Sequence, residues 1–110
     1  MELVVVRDDR AQDLVLGLHG ELDIASAEVL RREVQEVLAD APKTIYLDLT
    51  GTTFIDSSGC RELLATARAG SAAGSAVELV VPTENRRVRW VVEFMQFDAV
   101  LPIRDGVPSA

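Results

Sequence analysis

The chain has 110 residues, room for one domain whose core buries about two thirds of the unfolded surface, so a single domain over 1–110 is expected. Apolar residues make up 48% of it, yet no run approaches the roughly 20 needed to cross a bilayer, and "MELVVVRDDR" lacks the basic start and long apolar stretch of a secretory signal. A net charge of −7 argues against a non-specific grip on nucleic acid, and one cysteine (Cys60) with one histidine (His19) excludes an internal disulfide and leaves too few ligands for zinc. The expectation is a cytoplasmic protein with no direct membrane insertion, no metal, no cofactor and no nucleic acid, whose partners are other proteins.

Residues 3–6 are continuously apolar, "RDDRAQD" is polar and turn-like, and Leu14, Leu16 and Leu18 alternate with Val15, Gly17 and His19. This pattern predicts two strands joined by a turn. From Ser26 the period changes: Ala27, Leu30, Val34, Val37 and Leu38 fall on one helical face, predicting a helix over 26–39 with Ser26 as N-cap and Pro42 beyond its end. "TIYLDLT" at 44–50 predicts a third strand. Cys60, Leu63, Leu64 and Ala67 then recur at helical spacing, in a helix that ends within "AGSAAGS".

"AVELVVP" predicts a fourth strand stopped by Pro82. Val88, Val91, Val92 and Met95 predict a third helix capped by Thr83 or Asn85, with Trp90 and Phe94 packed in the core or at the helix edge. "AVLPIR" over 99–104 predicts an edge strand, since Pro102 removes a ladder donor. Residues 105–110 are expected to be a frayed tail. The order β-β-α-β-α-β-α-β implies a mixed α/β fold. Its sheet is mostly parallel, with an antiparallel partner from the N-terminal hairpin and helices packed against it.

The stretch "FIDSSGC" (Phe54–Cys60) stands at the carboxyl end of the third strand, where ligand and partner sites of such sheets sit. Asp56, Ser57 and Ser58 are all candidate caps for the second helix, and Gly59 permits close backbone approach or an unusual turn. A helix N-terminus also favours an added phosphate, through its unpaired N–H groups and positive dipole end. No catalytic constellation is expected. Ser57 lacks the glycine two residues earlier that a nucleophile elbow requires, and His19 would be its sole possible base. A phospho-acceptor aspartate among Asp8, Asp9 and Asp48 would want a lysine after the last strand, whereas Lys43, the sole lysine, precedes the third.

Two segments carry a resemblance: "GELDIASAEVLRREV" at 20–34 and "LDLTGTTFIDSSGCRELL" at 47–64. Together they resemble the STAS domain of bacterial anti-sigma factor antagonists, and the order of elements fits along nearly the whole chain. The resemblance implies a STAS-type fold and a non-enzymatic regulatory protein. It places the phosphorylation site at Ser57, with Ser58 as the less favoured acceptor. It also places the partner-binding surface at Gly20, Glu21, Leu22 and Asp23 together with Asp56, Ser57, Ser58 and Gly59. Where the family carries an apolar residue such as Leu, this chain has Cys60, which reads as simple packing.

The implied mechanism is a partner switch. The unphosphorylated protein binds an anti-sigma factor that is also a serine kinase, freeing a sigma factor. Phosphorylation by that kinase inactivates it, and a PP2C-type phosphatase restores it. The alternative within the resemblance is a stand-alone STAS subunit of a membrane, lipid-type ABC transport system. Some STAS domains also bind nucleotides, but this chain has no glycine-rich phosphate loop, so no tight nucleotide binding is expected.

Overall fold

The computed structural model describes residues 2–108. Strand β1 (Val4–Arg10) turns back through Ala11 and Gln12 into the long β2 (Asp13–Leu22), forming an antiparallel ladder in register from Val4↔His19 to Arg10↔Asp13. Helix α1 (Ala27–Ala39) leads to β3 (Thr44–Asp48), β4 (Thr52–Ile55) and helix α2 (Ser57–Ala72). Then come β5 (Ala76–Val80), helix α3 (Arg86–Phe94), a short 3-10 turn (Phe97–Ala99) and β6 (Ile103–Arg104). The sheet runs β1-β2-β3-β5-β6, every pair after the first being parallel, and β4 pairs with β2 off that path.

The alternation of β2 explains the layering. Leu14, Leu16, Leu18 and Leu22 point to one face and are fully buried with Leu30 and Val37 of α1, Ile45 and Leu47 of β3, Leu63 of α2, and Val88 and Val92 of α3. The opposite face carries a small second cluster of Val15, Tyr46 and Val80, covered by Val107. Within the stretch 105–110, where the sequence suggests a frayed end, residues 105 and 108 make hydrogen bonds to the body of the fold. Asp105 accepts a hydrogen bond from Thr83 N at 2.9 Å, and the Pro108 carbonyl accepts one from the Arg10 guanidinium at 3.4 Å. Residues 109–110 lie outside the described residues.

Four further differences from the sequence expectation have local causes. The turn predicted across "RDDRAQD" is only two residues long, because β1 continues to Arg10, where Arg7 pairs with Asp9 and Asp40 and Arg10 pairs with Asp8. A separate β4 emerges after a turn at Thr50–Gly51, where Thr52 N donates to Leu49 O at 3.0 Å and Thr52 Oγ1 to Leu18 O at 2.7 Å. The last strand shrinks to Ile103–Arg104, because the buried Phe97 draws the preceding residues into a 3-10 turn whose bonds end at Leu101 N. Trp90 and Phe94 are exposed rather than packed in the core.

Candidate functional site

Chain order separates the two turns singled out in the sequence by more than thirty residues; the β2–β4 ladder brings them together. Its register pairs Glu21 with Phe54 and Leu22 with Ile55, after a shift between Gly20 and Glu21. Gly20 has φ +113°, donates its N–H to Gly51 O at 3.1 Å, and leaves no space for a side chain, since a β-carbon would stand 2.4 Å from Glu2 O. That conformation is open to glycine at little cost.

The second turn starts α2. Asp56 is extended at φ −116° and ψ −172°, and its Oδ1 accepts the Gly59 N–H at 2.9 Å, an N-cap bond that satisfies one of the helix's orphan donors. Asp56 N donates to Leu22 O at 3.3 Å, which ties the two turns directly. Gly59 is buried with its α-carbon against the same oxygen. Ser57 follows the cap, is exposed, and its hydroxyl makes no hydrogen bond among the described residues. Ser58 is half-buried and its Oγ accepts a long bond from the Arg61 guanidinium at 3.4 Å. Of the two hydroxyls, Ser57 is therefore the more exposed.

The first turn is rigid through Asp23 and Ser26. Asp23 Oδ1 accepts from Ser26 N at 3.0 Å, Asp23 N donates to Ser26 Oγ at 2.9 Å, and that hydroxyl donates to Glu21 O at 2.7 Å. This reciprocal pair has the logic of a capping box. It corrects the expectation that Ser26 caps α1 by its own side chain: Ser26 has helical angles and makes no cap bond, while Asp23 begins the turn. Leu22 is fully buried, and Glu21 and Asp23 are half-buried.

Residues that sequence reasoning did not single out complete the surface. Ile24, 78% exposed, lines a groove between α1 and α2 with Arg31, Ser58, Arg61 and Glu62. Phe54 is 40% exposed on β4. Ile24 was detectable as an apolar residue out of phase with the face of α1; Phe54 was not, without knowledge of β4. The Glu62 carboxylate is only 7% exposed and is paired with Arg31 at 2.7 Å.

The aspartates weighed as phospho-acceptors have structural partners. Asp8 and Asp9 pair with Arg10 and Arg7, and Asp48 accepts from Thr50 N at 3.0 Å. His19 is exposed and its ring lies over Gly51 and Gly17. Burial, and then the Asp56 carboxylate, push the Cys60 thiol pKa up. Such a thiol is protonated and unreactive at neutral pH. Among the described residues no group of three or more His, Cys, Asp or Glu side chains is gathered to hold a metal, and no helix is long and apolar enough to cross a membrane.

Fold and site together define a small mixed α/β module that presents one paired-turn surface. The profile of the family described as "Mlab, STAS domain" matches residues 5–102, and the chain belongs to the STAS domain family. It is 38% identical over 52 residues to the anti-sigma-F factor antagonist RsfB of two Mycobacterium tuberculosis strains, a match spanning 47% of this chain and 43% of the relative. Its fold is similar to that of an anti-sigma factor antagonist from Mycobacterium paratuberculosis (TM-score 0.79, 24% identity), over 96% of this chain and 87% of that one. It is also similar to the Bacillus cell fate determinant SpoIIAA in its phosphorylated form (TM-score 0.66, 22% identity), over 91% and 90% of the two chains.

Proposed function

We propose that the chain is an anti-sigma factor antagonist that binds an anti-sigma factor serine kinase through its paired turns and is switched off by phosphorylation at Ser57. The observation that carries this reading is the position of Ser57. It is an exposed hydroxyl with no intramolecular partner among the described residues, on the first turn of α2, beside a second turn locked to it through Leu22 O. Glu21, Asp23, Asp56 and Ser58, each half-buried, and the exposed Ser57 are the parts of the two turns that reach solvent, while the buried Gly20, Leu22 and Gly59 hold the turns together from within. The partial match to RsfB supports the choice of partner class, and the phosphorylated SpoIIAA shows a similar fold carrying a phosphate.

A phosphate on Ser57 adds about −1.5 to −2 charges to an interface formed around a neutral hydroxyl. One unfavourable unit-charge contact at about 4 Å costs roughly 4 kcal/mol at an effective dielectric near 20, about three decades in affinity. The helix N-terminus accepts the charge locally, so the switch requires no refolding. Dephosphorylation by a PP2C-type phosphatase resets it. The chain itself supplies no chemistry to the cycle.

The test is affinity capture from the native lysate with wild type and Ser57→Glu side by side, with mass spectrometry of the bound proteins and of the bait. The expected result is a serine kinase of the anti-sigma class retained by wild type and lost with Ser57→Glu, and a phosphate mapped to Ser57. A transport ATPase or permease in place of the kinase would instead assign the chain to a transporter. Phosphate confined to Ser58 would overturn the assignment of the acceptor.

A further inference from the structure

Helix α3 has a face that the other described residues leave exposed. Val88 and Val92 are fully buried, while Trp90, Phe94 and Met95 are 64%, 70% and 46% exposed. The Trp90 and Phe94 rings stack with centroids 5.1 Å apart and planes within 9° of parallel. Exposed aromatic groups joined in this way mark an interaction surface. Just past the helix, Val100 is also exposed.

The charges around the aromatic pair say what fits it. Arg86 and Arg87 are exposed and make no ion pair among the described residues, whereas Arg89 lies 3.6 Å from Glu93 and donates to Val81 O at 2.6 Å. At about 100° per residue, Arg86 and Glu93 fall on one flank of Trp90, about 40° and 60° from it, and Phe94 and Arg87 fall on the other at similar angles. A two-fold axis perpendicular to the helix beside Trp90 reverses the direction of α3 but keeps each flank on its own side. It therefore sets Arg86 against Glu93 of a second copy, Arg87 against the ring of Phe94, and Trp90 against Trp90.

We propose that this face is a contact between two copies of the chain, an antiparallel α3–α3 dimer centred on Trp90. The pattern is self-complementary, as an isologous interface requires. Each unpaired arginine meets a carboxylate or an aromatic face, and the two helix dipoles oppose one another favourably. A lipid surface fits less well, because Glu93 sits on the same face and an anionic bilayer would repel both it and a chain of net charge −7. A nine-residue helix makes a small contact, so the dimer belongs to the weak, transient class.

Trp90 is the only tryptophan, so its emission reports the contact. The experiment is sedimentation velocity with parallel fluorescence on the full chain from about 1 µM to about 1 mM. Expected is a rise from monomer to dimer, with a blue shift over the same range. Trp90→Ala and Arg86→Glu each raise the dissociation constant by at least about tenfold. Arg86→Glu combined with Glu93→Arg, which restores the pairs with reversed sign, returns it to within about threefold of wild type.

A monomer with unchanged emission over the whole range would overturn the proposal, as would a dimer indifferent to Trp90→Ala and Arg86→Glu. So would a blue shift produced by phosphatidylglycerol vesicles but not by raising the protein concentration. Since the mutated side chains are exposed, all variants are expected to keep the wild-type circular dichroism spectrum.

Discussion

The α-carbon of Gly59 lies against the carbonyl oxygen of Leu22, so closely that a β-carbon on residue 59 would stand 2.2 Å from that oxygen. The oxygen cannot move away freely, because it also accepts the Asp56 N–H at 3.3 Å. Gly59→Ala must therefore push the start of α2 off the end of β2, at a cost of about 1–3 kcal/mol. Urea denaturation checks this, with Gly106→Ala as a control. Nothing lies within 4 Å of a β-carbon at 106, so the control is expected to stay within about 0.5 kcal/mol of wild type.

Stability and partner binding should separate at Ser57. Its hydroxyl has no intramolecular partner among the described residues, so Ser57→Ala is expected to leave the melting temperature unchanged. Ser57→Glu places a negative charge in the first turn of α2, which stabilises the helix by about 0.3–1 kcal/mol. The same substitution is expected to weaken binding of the proposed anti-sigma factor partner by about 100- to 1,000-fold. Calorimetric melting beside a binding titration reads both. A Glu variant that is less stable and also binds less well would show damage to the fold rather than a switch.

Much of this architecture is legible in the sequence because local pattern and final environment agree. The leucines at 14, 16 and 18 alternate in sequence and are buried on one face, and the second helix ends at Ala72 within the small-residue stretch expected to stop it, with Gly74 at φ +87°. Asp56 caps α2 as its residue type suggests. What could not be read depends on contacts made across the chain. Strand β4 is defined by the last three residues of β2, Gly20 to Leu22, an extension that no local period reveals. That the turns at 20–23 and 56–59 touch follows from the same ladder, and from sequence only the family resemblance brought them together. The spacing of four between Trp90 and Phe94 suggests packing in the core or at the helix edge, yet both rings are exposed, because Val88 and Val92 already fill the face of α3 that meets the core.

The hairpin turn offers a stabilising change. Ala11 has φ +50° in the two-residue link between Arg10 and Asp13, a left-handed conformation that a β-carbon disfavours and glycine adopts freely. Relief of that strain is opposed by the greater freedom glycine gives the unfolded chain. The strain is the larger effect, of order 1 kcal/mol, so Ala11→Gly is expected to stabilise by about 0.5 kcal/mol. Thermal unfolding reads it, and an equal gain from Ala69→Gly in the interior of α2 would contradict the explanation, since glycine there should cost about 1 kcal/mol.

Cys60 sets the last prediction, through the dependence of stability on pH. Its side chain is 1% exposed in the core, and burial first, then the Asp56 carboxylate, raise its pKa in the folded state. The unfolded thiol ionises near its ordinary value of about 8.5. Above that pH the unfolded chain has released a proton that the folded chain still holds, so this contribution to stability is fully present below about 8.5 and is lost as pH rises from there through the folded pKa. The slope from this one group is at most about 1.36 kcal/mol per pH unit. Cys60→Ala costs stability at every pH because it leaves a cavity, but it removes this contribution to the slope. Urea midpoints of the two proteins at pH 7, 8.5 and 9.5 are therefore expected to converge. Parallel pH profiles would show that the thiol does not titrate differently in the two states.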